Sequence, residues 1–183
     1  LNQAGALVHV YQDGSIQLNH GGTEMGQGLM TKVAQVVAFE FAVPLSAIRI
    51  MATSTAKAPN TSATAASAGT DLNGMAARDA ARKIKVRLIA FMAEKWDVDT
   101  AEITFSAGHI NAAARSIPFA QAVKEAYFAR VSLSAAGYYR TPKIGWDREA
   151  GRGRPFFYYA YGAAVSEAAI DTFTGECRIL RAD

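Results

Sequence analysis

Residues 6–42, "ALVHVYQDGSIQLNHGGTEMGQGLMTKVAQVVAFEFA", change their hydrophobic period in mid-stretch, and that change decides the fold class. In "ALVHVY" the apolar positions alternate around Val8 and Val10. "DGS" turns, and "IQLNH" returns with Ile16 and Leu18 on one face. This is a β-hairpin pattern, with Asp13-Gly14 supplying the tight turn because glycine accepts positive φ. After the glycines the spacing becomes helical, with Leu29, Val33, Val36, Val37 and Phe41 on one face. Pro44 is predicted to end that helix, and "AIRIMAT" reads as the next strand.

The rest extends this alternation. Asp71 to Trp96 reads as a long helix with Leu72, Met75, Ala76, Ala80, Ile84, Leu88 and Phe91 as its apolar stripe. "EITFSAGHIN" reads as a short hairpin, Pro118 opens a shorter helix through "PFAQAVKEAYFA", and "VSLSAAGYYR" reads as a strand. "TPKIGWDREAGRGRP", about 141–155, is rich in proline, glycine and charge and is expected to be an exposed loop. From Phe156 a long strand, a turn at Thr172 to Gly175 and a return strand are predicted. The order β-β-α-β-α-β implies an α+β fold of two layers, helices covering one face of a mixed sheet. One partial domain over 1–183 is expected. A start at Leu1 without methionine, running almost at once into a strand, is read as a piece of a larger polypeptide.

Composition narrows the function classes. The 183 residues are 50% hydrophobic with 19 basic and 16 acidic side chains, a net charge of +3, too mild and too scattered for a nucleic-acid stripe. No apolar run reaches the ~18 residues of a membrane span, and no signal peptide is visible. The single cysteine, Cys177, excludes an intrachain disulfide, and it and three dispersed histidines do not form a zinc pattern. A cytoplasmic location is expected.

Two loops carry the chemistry. "GGTEMGQG", residues 21–28, lies between strand and helix, where unpaired amides and a helix dipole favour an anion and glycines leave room for it. The nucleotide loop GxxxxGK[ST] is not met: after Gly21 and Gly26 stand Gln27 and Gly28. The dinucleotide pattern GxGxxG is not met either, because Thr31 occupies the third glycine position. An anion cradle and a plain connecting turn both remain open. The loop's one neutral amide, Gln27, could donate to an oxo group without adding charge. The second loop, "TSTAKAPNTSATAASAGT" at 53–70, offers the hydroxyls of Thr61, Ser62, Thr64, Ser67 and Thr70. They fit either a helix cap or a heterocycle rich in donors and acceptors. Glu24 is readable as a general base or, preferably, as an exposed loop carboxylate. His20 is readable as ligand-orienting or, more simply, structural. His9 and His109 read as ordinary strand residues, the aromatics of 156–161 as core or interface, and Arg148, Arg152 and Arg154 as a solvated face.

Taken together, "GGTEMGQGL" and "PNTSATAASAGTDLNG" resemble the molybdenum-cofactor-binding large subunit of the xanthine oxidase family, in its bacterial xanthine dehydrogenase form. The resemblance implies a molybdenum–molybdopterin cofactor here, with 2Fe–2S clusters, FAD and NAD on other segments or subunits, and oxidation of hypoxanthine and xanthine to urate. By position it implies Met25, Gly26, Gln27, Thr64, Ala66, Ser67 and Thr70 as cofactor-binding. Gln27 would approach a molybdenum oxo group without ligating the metal. Ala65 and Ala66 would border the substrate pocket, small so that a planar purine fits. The family often has serine where this chain has Gly69, so one cofactor bond is expected to be lost or taken over by backbone. No catalytic residue is assigned: the family's glutamate base falls after this chain, and its substrate-orienting arginine and Gly-Phe-Gly-Gly loop fall before it. The implied partners are the rest of the large subunit, an FAD/iron–sulfur subunit or domain and a purine substrate, in an oligomer, with no nucleic acid and no membrane. A relative acting on aldehydes or other N-heterocycles, and a non-catalytic scaffold, are the alternatives. The isolated segment is expected to be inactive.

Overall fold

A computed structural model describes residues 2–159 and 161–183. Its elements in chain order are β1 (Gln3–Val10), β2 (Ile16–His20), α1 (Leu29–Phe41), β3 (Ile48–Ile50), α2 (Gly69–Trp96), β4 (Thr104–Ser106), β5 (His109–Ala112), β6 (Arg115–Pro118), α3 (Phe119–Phe128), β7 (Ser134–Arg140), β8 (Gly145–Asp147), β9 (Arg152–Arg154), β10 (Ser166–Ile170) and β11 (Cys177–Ala182). They fall into two compact units, Leu1–Thr141 and Pro142–Asp183.

In the first unit β1 and β2 form the hairpin that the alternation implies, with Val8 opposite Leu18 and Ala6 opposite His20. α1 carries the chain across to β3, which lies parallel to β2, while β7 pairs antiparallel with the other edge of β1. The result is a mixed four-stranded sheet in the order β3-β2-β1-β7. One face buries Ala4, Ala6, Val8, Val10, Ile16 and Leu18, and the α1 and α2 stripes complete the same core through Val33, Val37, Phe41, Ile84, Leu88 and Met92. The two-layer α+β arrangement is thus the one the pattern implied.

Small residues let α2 lie close to the sheet. Ala76, Ala77, Ala80 and Ala81 are fully buried, and a methyl group placed on Gly137 of β7 would stand 2.0 Å from the Ala76 carbonyl oxygen. Glu40 fastens α1 to α2. Its carboxylate accepts from Arg78 Nε at 3.1 Å and Arg82 Nε at 3.3 Å, and Lys85 Nζ donates to its main-chain oxygen at 2.6 Å. A second, three-stranded sheet of β4, β5 and β6 stacks Ile110 on Ile117.

Several local readings change. α1 stops at Phe41, before Pro44, because Ala42 turns left-handed (φ 54°) and the amide of Val43 donates back to Ala38. The short hairpin at 102–111 gains a third strand, β6, and Pro118 sits at the cap of α3.

In the second unit β8 and β9 make a small exposed hairpin within 141–155, and β10 pairs antiparallel with β11. Among the described residues from Phe156 onward, strand begins only at Ser166, so the expected long strand is shorter. Phe156, Phe157, Tyr158, Tyr159 and Tyr161 are exposed side chains and not core, and Ala160 of that run lies outside the described residues. The turn before β11 is closed by Asp171, whose carboxylate accepts from the amides of Phe173 and Thr174. Cys177 is exposed. No helix among the described residues is long and apolar enough to cross a membrane.

Candidate functional site

The site starts where β2 ends. His20 faces the helices, 1% exposed, and its Nδ1 accepts the amide of Gly22 at 3.1 Å. Burial lowers its pKa from the usual 6.5, and an acceptor at Nδ1 requires the neutral ring. The Thr53 hydroxyl donates to the carbonyls of His20 and Gly22. Gly21 and Gly22 are glycines for want of space: a methyl on Gly21 would meet the Thr61 side chain at 2.7 Å, and one on Gly22 would meet Leu29 at 2.6 Å and Asn73 at 2.8 Å. Gly26 (φ 95°) and Gly28 (φ 76°) are glycines for conformation, curling the chain into α1.

That curl closes on the protein's own acid. Glu24 Oε1 accepts from Gly26 at 3.0 Å and Gly28 at 2.9 Å, and Oε2 accepts from Met30 at 2.9 Å. These amides, the Met30 N–H foremost, hold the carboxyl below its ordinary pKa. The glycine loop is therefore not an open anion cradle, and Glu24 is neither a free base nor an idle surface charge. Gln27 is also engaged: Oε1 accepts from Met25 at 2.6 Å and Nε2 donates to the Thr23 carbonyl at 2.9 Å. An amide NH2 has two donors, so this contact leaves one N–H.

The hydroxyl loop is bound to the sheet and to the glycine loop. Thr61 Oγ1 and Ser62 Oγ accept from the amides of Gly5 and Gln3 on β1, and Thr64 Oγ1 accepts from Thr23 at 2.9 Å. Beyond Thr64 the chain passes through two successive left-handed residues, Ala66 (φ 51°) and Ser67 (φ 59°). Such a conformation costs a non-glycine residue about 1–2 kcal/mol, a strain typical of ligand-binding segments. α2 then starts at Gly69 with Ala68 as its cap and no side-chain cap bond. Capping is thus not what these hydroxyls do. Asn73 Nδ2 donates to the Gly69 carbonyl, while Asn73 Oδ1 and His20 Nε2 remain buried without partners.

Between the loops lies a cleft of about 330 Å³. Met25 and Gln27 line one wall, and Thr64, Ala65, Ala66, Ser67 and Thr70 the other, with Gly69 beside them. Gly26 stands between Met25 and Gln27 with open space where a side chain would be. Leu29 and Lys32 complete the lining and escaped the sequence reading; Lys32 follows Gly28 by one helical turn, a spacing that could have flagged it. The uncapped start of α2 directs its free amides and partial positive charge toward the cleft where Gly69 and Thr70 line it. His9 and His109 lie on β1 and β5, away from the lining. Among the described residues no group of three or more His, Cys, Asp or Glu could hold a metal ion directly.

The sequence profile of the molybdopterin cofactor-binding domain family matches residues 1–183. Xanthine dehydrogenase of Dictyostelium discoideum is 47% identical over 186 residues, covering 100% of this chain and 12% of that protein. Xanthine dehydrogenase/oxidase of Rattus norvegicus is 46% identical over 183 residues, again covering 100% of this chain and 12% of that protein. The chain therefore spans about 12% of the length of these relatives. The fold matches the Cu,Mo-CO dehydrogenase with a TM-score of 0.81 at 24% identity, over 99% of this chain and 22% of that one. It matches quinoline 2-oxidoreductase from Pseudomonas putida 86 with a TM-score of 0.78 at 22% identity, over 99% of this chain and 23% of that one.

Proposed function

This chain belongs to the molybdopterin cofactor-binding domain family, and on that premise we propose that its cleft is one wall of the molybdopterin site of a purine-oxidising molybdenum hydroxylase. The observation that carries this is the single cleft formed by the two loops, joined through the Thr23–Thr64 hydrogen bond. Its lining fits the group. Thr64, Ser67 and Thr70 offer hydroxyls to a pterin, the start of α2 offers amides to its phosphate, and Met25 and Gly26 border the metal end. Gln27 has one N–H left for an oxo group, and Ala65 and Ala66 leave a flat slot beside it. When bound, the cofactor supplies the oxygen delivered to an electron-poor ring carbon and takes up two electrons.

The contribution of this chain is to hold, orient and keep the slot narrow; the proton-accepting carboxylate belongs to another part of the longer polypeptide. Residues 1–183 are in this reading a partial cofactor-binding domain, inactive alone. The relatives' name supports xanthine as the substrate, and the proposal takes hypoxanthine with it. The remaining large subunit, an FAD- and 2Fe–2S-bearing domain or subunit delivering electrons to NAD, and a cytoplasmic oligomer complete the proposal.

The test is Gln27→Ala in the full-length protein. Removing the amide donor at the metal end is expected to lower turnover by about 10²-fold, the scale for one preorganised donor. Most pterin should be retained, because the hydroxyls and amides of the second loop are untouched. Molybdenum content, pterin content and xanthine-dependent dye reduction measure this. Unchanged turnover at full metal loading would remove Gln27 from the site, and a full-length wild type without molybdenum would overturn the function.

A further inference from the structure

Glu24 has no part in the function just proposed, yet more of the glycine loop converges on it than on any ligand-facing side chain. Three amides, of Gly26, Gly28 and Met30, donate to its two oxygens within 3.0 Å. The carboxylate is exposed, so this arrangement is not imposed by packing around the acid. It follows from the left-handed turns at Gly26 and Gly28, which aim successive N–H groups at one point. Interleaved with these contacts, the Gln27 side chain takes Met25 N–H and reaches the Thr23 carbonyl. A carboxylate accepts at both oxygens and carries a full charge, so it satisfies all three amides. A neutral side chain of the same shape satisfies at most two of them and opposes the Met30 N–H with its own NH2 group.

We propose that Glu24 is a positioning residue: its carboxylate is the built-in anion around which residues 25–30 fold, and the loop so formed aims the remaining N–H of Gln27 into the cleft. The inference rests on the molybdopterin reading of that cleft. It also means that the amides of Gly26, Gly28 and Met30 are already occupied by the protein's own carboxylate and are not offered to a phosphate.

The experiment uses the full-length protein, wild type and Glu24→Ala, each with and without added acetate. In the variant, amide exchange at Gly26, Gly28 and Met30 should quicken by about tenfold or more. Turnover should fall about tenfold with KM little changed, since a misaimed donor weakens the reacting geometry more than substrate binding. Acetate should restore both in a saturable manner in the variant and leave wild type unchanged, because a small carboxylate can re-enter the vacated nest. In the Glu24→Ala/Gln27→Ala double variant, turnover should match Gln27→Ala alone. Wild-type exchange and turnover in Glu24→Ala would overturn the proposal, as would a loss that acetate does not touch. If wild type itself lacks molybdenum, the functional reading fails; the exchange and acetate measurements then still decide whether Glu24 organises the loop.

Discussion

Exchanging His20 for two amides of nearly equal polarity isolates a single hydrogen bond at the base of the glycine loop. The carbonyl oxygen of asparagine lies where imidazole has Nδ1, and that of glutamine lies where it has Nε2. Nδ1 accepts the amide of Gly22 at 3.1 Å in a buried setting, whereas Nε2 has no partner. His20→Asn therefore keeps an acceptor for the Gly22 amide, while His20→Gln leaves the Gly22 N–H buried and unsatisfied. Leaving such a donor unpaired costs about 1–3 kcal/mol. If the loop opens locally, exchange at Gly22 should quicken by roughly 5- to 150-fold in His20→Gln and much less in His20→Asn. Site-resolved amide exchange on the full-length protein reads this directly. Equal acceleration in both variants, or in neither, would refute the role of Nδ1. The pH dependence has a definite sign. Burial depresses the pKa of folded His20 below 6.5, so the unfolded chain binds the proton more readily. This contribution to stability is complete above pH 6.5 and is lost as pH falls toward the depressed value. Protection of Gly22, corrected for intrinsic exchange, should fall with it in wild type and not in His20→Asn.

Two further substitutions test the scaffold behind the cleft. Gly137→Ala sets a methyl 2.0 Å from the Ala76 carbonyl and 2.5 Å from the Ala80 amide. α2 must then lift from β7, at a cost of about 3 kcal/mol or more, the upper range for overpacking; lost protection in α2 and lower molybdenum content in the full-length protein would register it, and wild-type values for both would contradict the close approach. Glu40→Gln removes the charge shared by Arg78, Arg82 and Lys85, whose side chains are 36%, 58% and 25% exposed. Because these cations regain water, the cost should be about 1–2 kcal/mol, below the 3–5 of a fully buried pair, read as faster exchange along α1 and its contact with α2.

Where local periodicity dictated structure, it could be read from the letters. The β1–β2 hairpin followed from alternation about Asp13-Gly14, and α1 and α2 from stripes that match their buried residues closely. Met75 is an exception: its side chain is 38% exposed although it falls on the expected stripe. The position of β7 could not be read, because its partner β1 lies more than 120 residues earlier and pairing that distant leaves no local trace. The aromatics from Phe156 carry high strand propensity, yet β structure needs a partner, and among the described residues from Phe156 onward pairing begins only at Ser166. In the site, the two loops and their spacing were legible, but the closure was not. Glu24 followed by amides at positions 26, 28 and 30 is a pattern only once Gly26 and Gly28 are known to turn left-handed.

The cleft owes its fixed width to where its walls are attached. The glycine loop leaves the end of β2, tied down by His20 and Thr53. The hydroxyl loop is bonded through Thr61 and Ser62 to Gln3 and Gly5, at the end of β1 that extends past the last pair with β2, Ala6 opposite His20. Both walls thus hang from adjacent strands, whose separation is set by ladder hydrogen bonds at about 4.8 Å. Thr23–Thr64 adds one direct bond between them. Within this frame the left-handed Ala66 and Ser67 can be held despite their strain, since relaxing them would require Thr64 or Gly69 to move, and Gly69 is anchored by Asn73. The same logic explains the two kinds of glycine in the first loop. Gly21 and Gly22 let Thr61, Leu29 and Asn73 approach from behind, and Gly26 and Gly28 let the backbone close on Glu24 in front. Substituting either pair would widen the cleft by a different route: alanine at 22 by pushing α1 and α2 away from the loop, alanine at 28 by straining the loop itself.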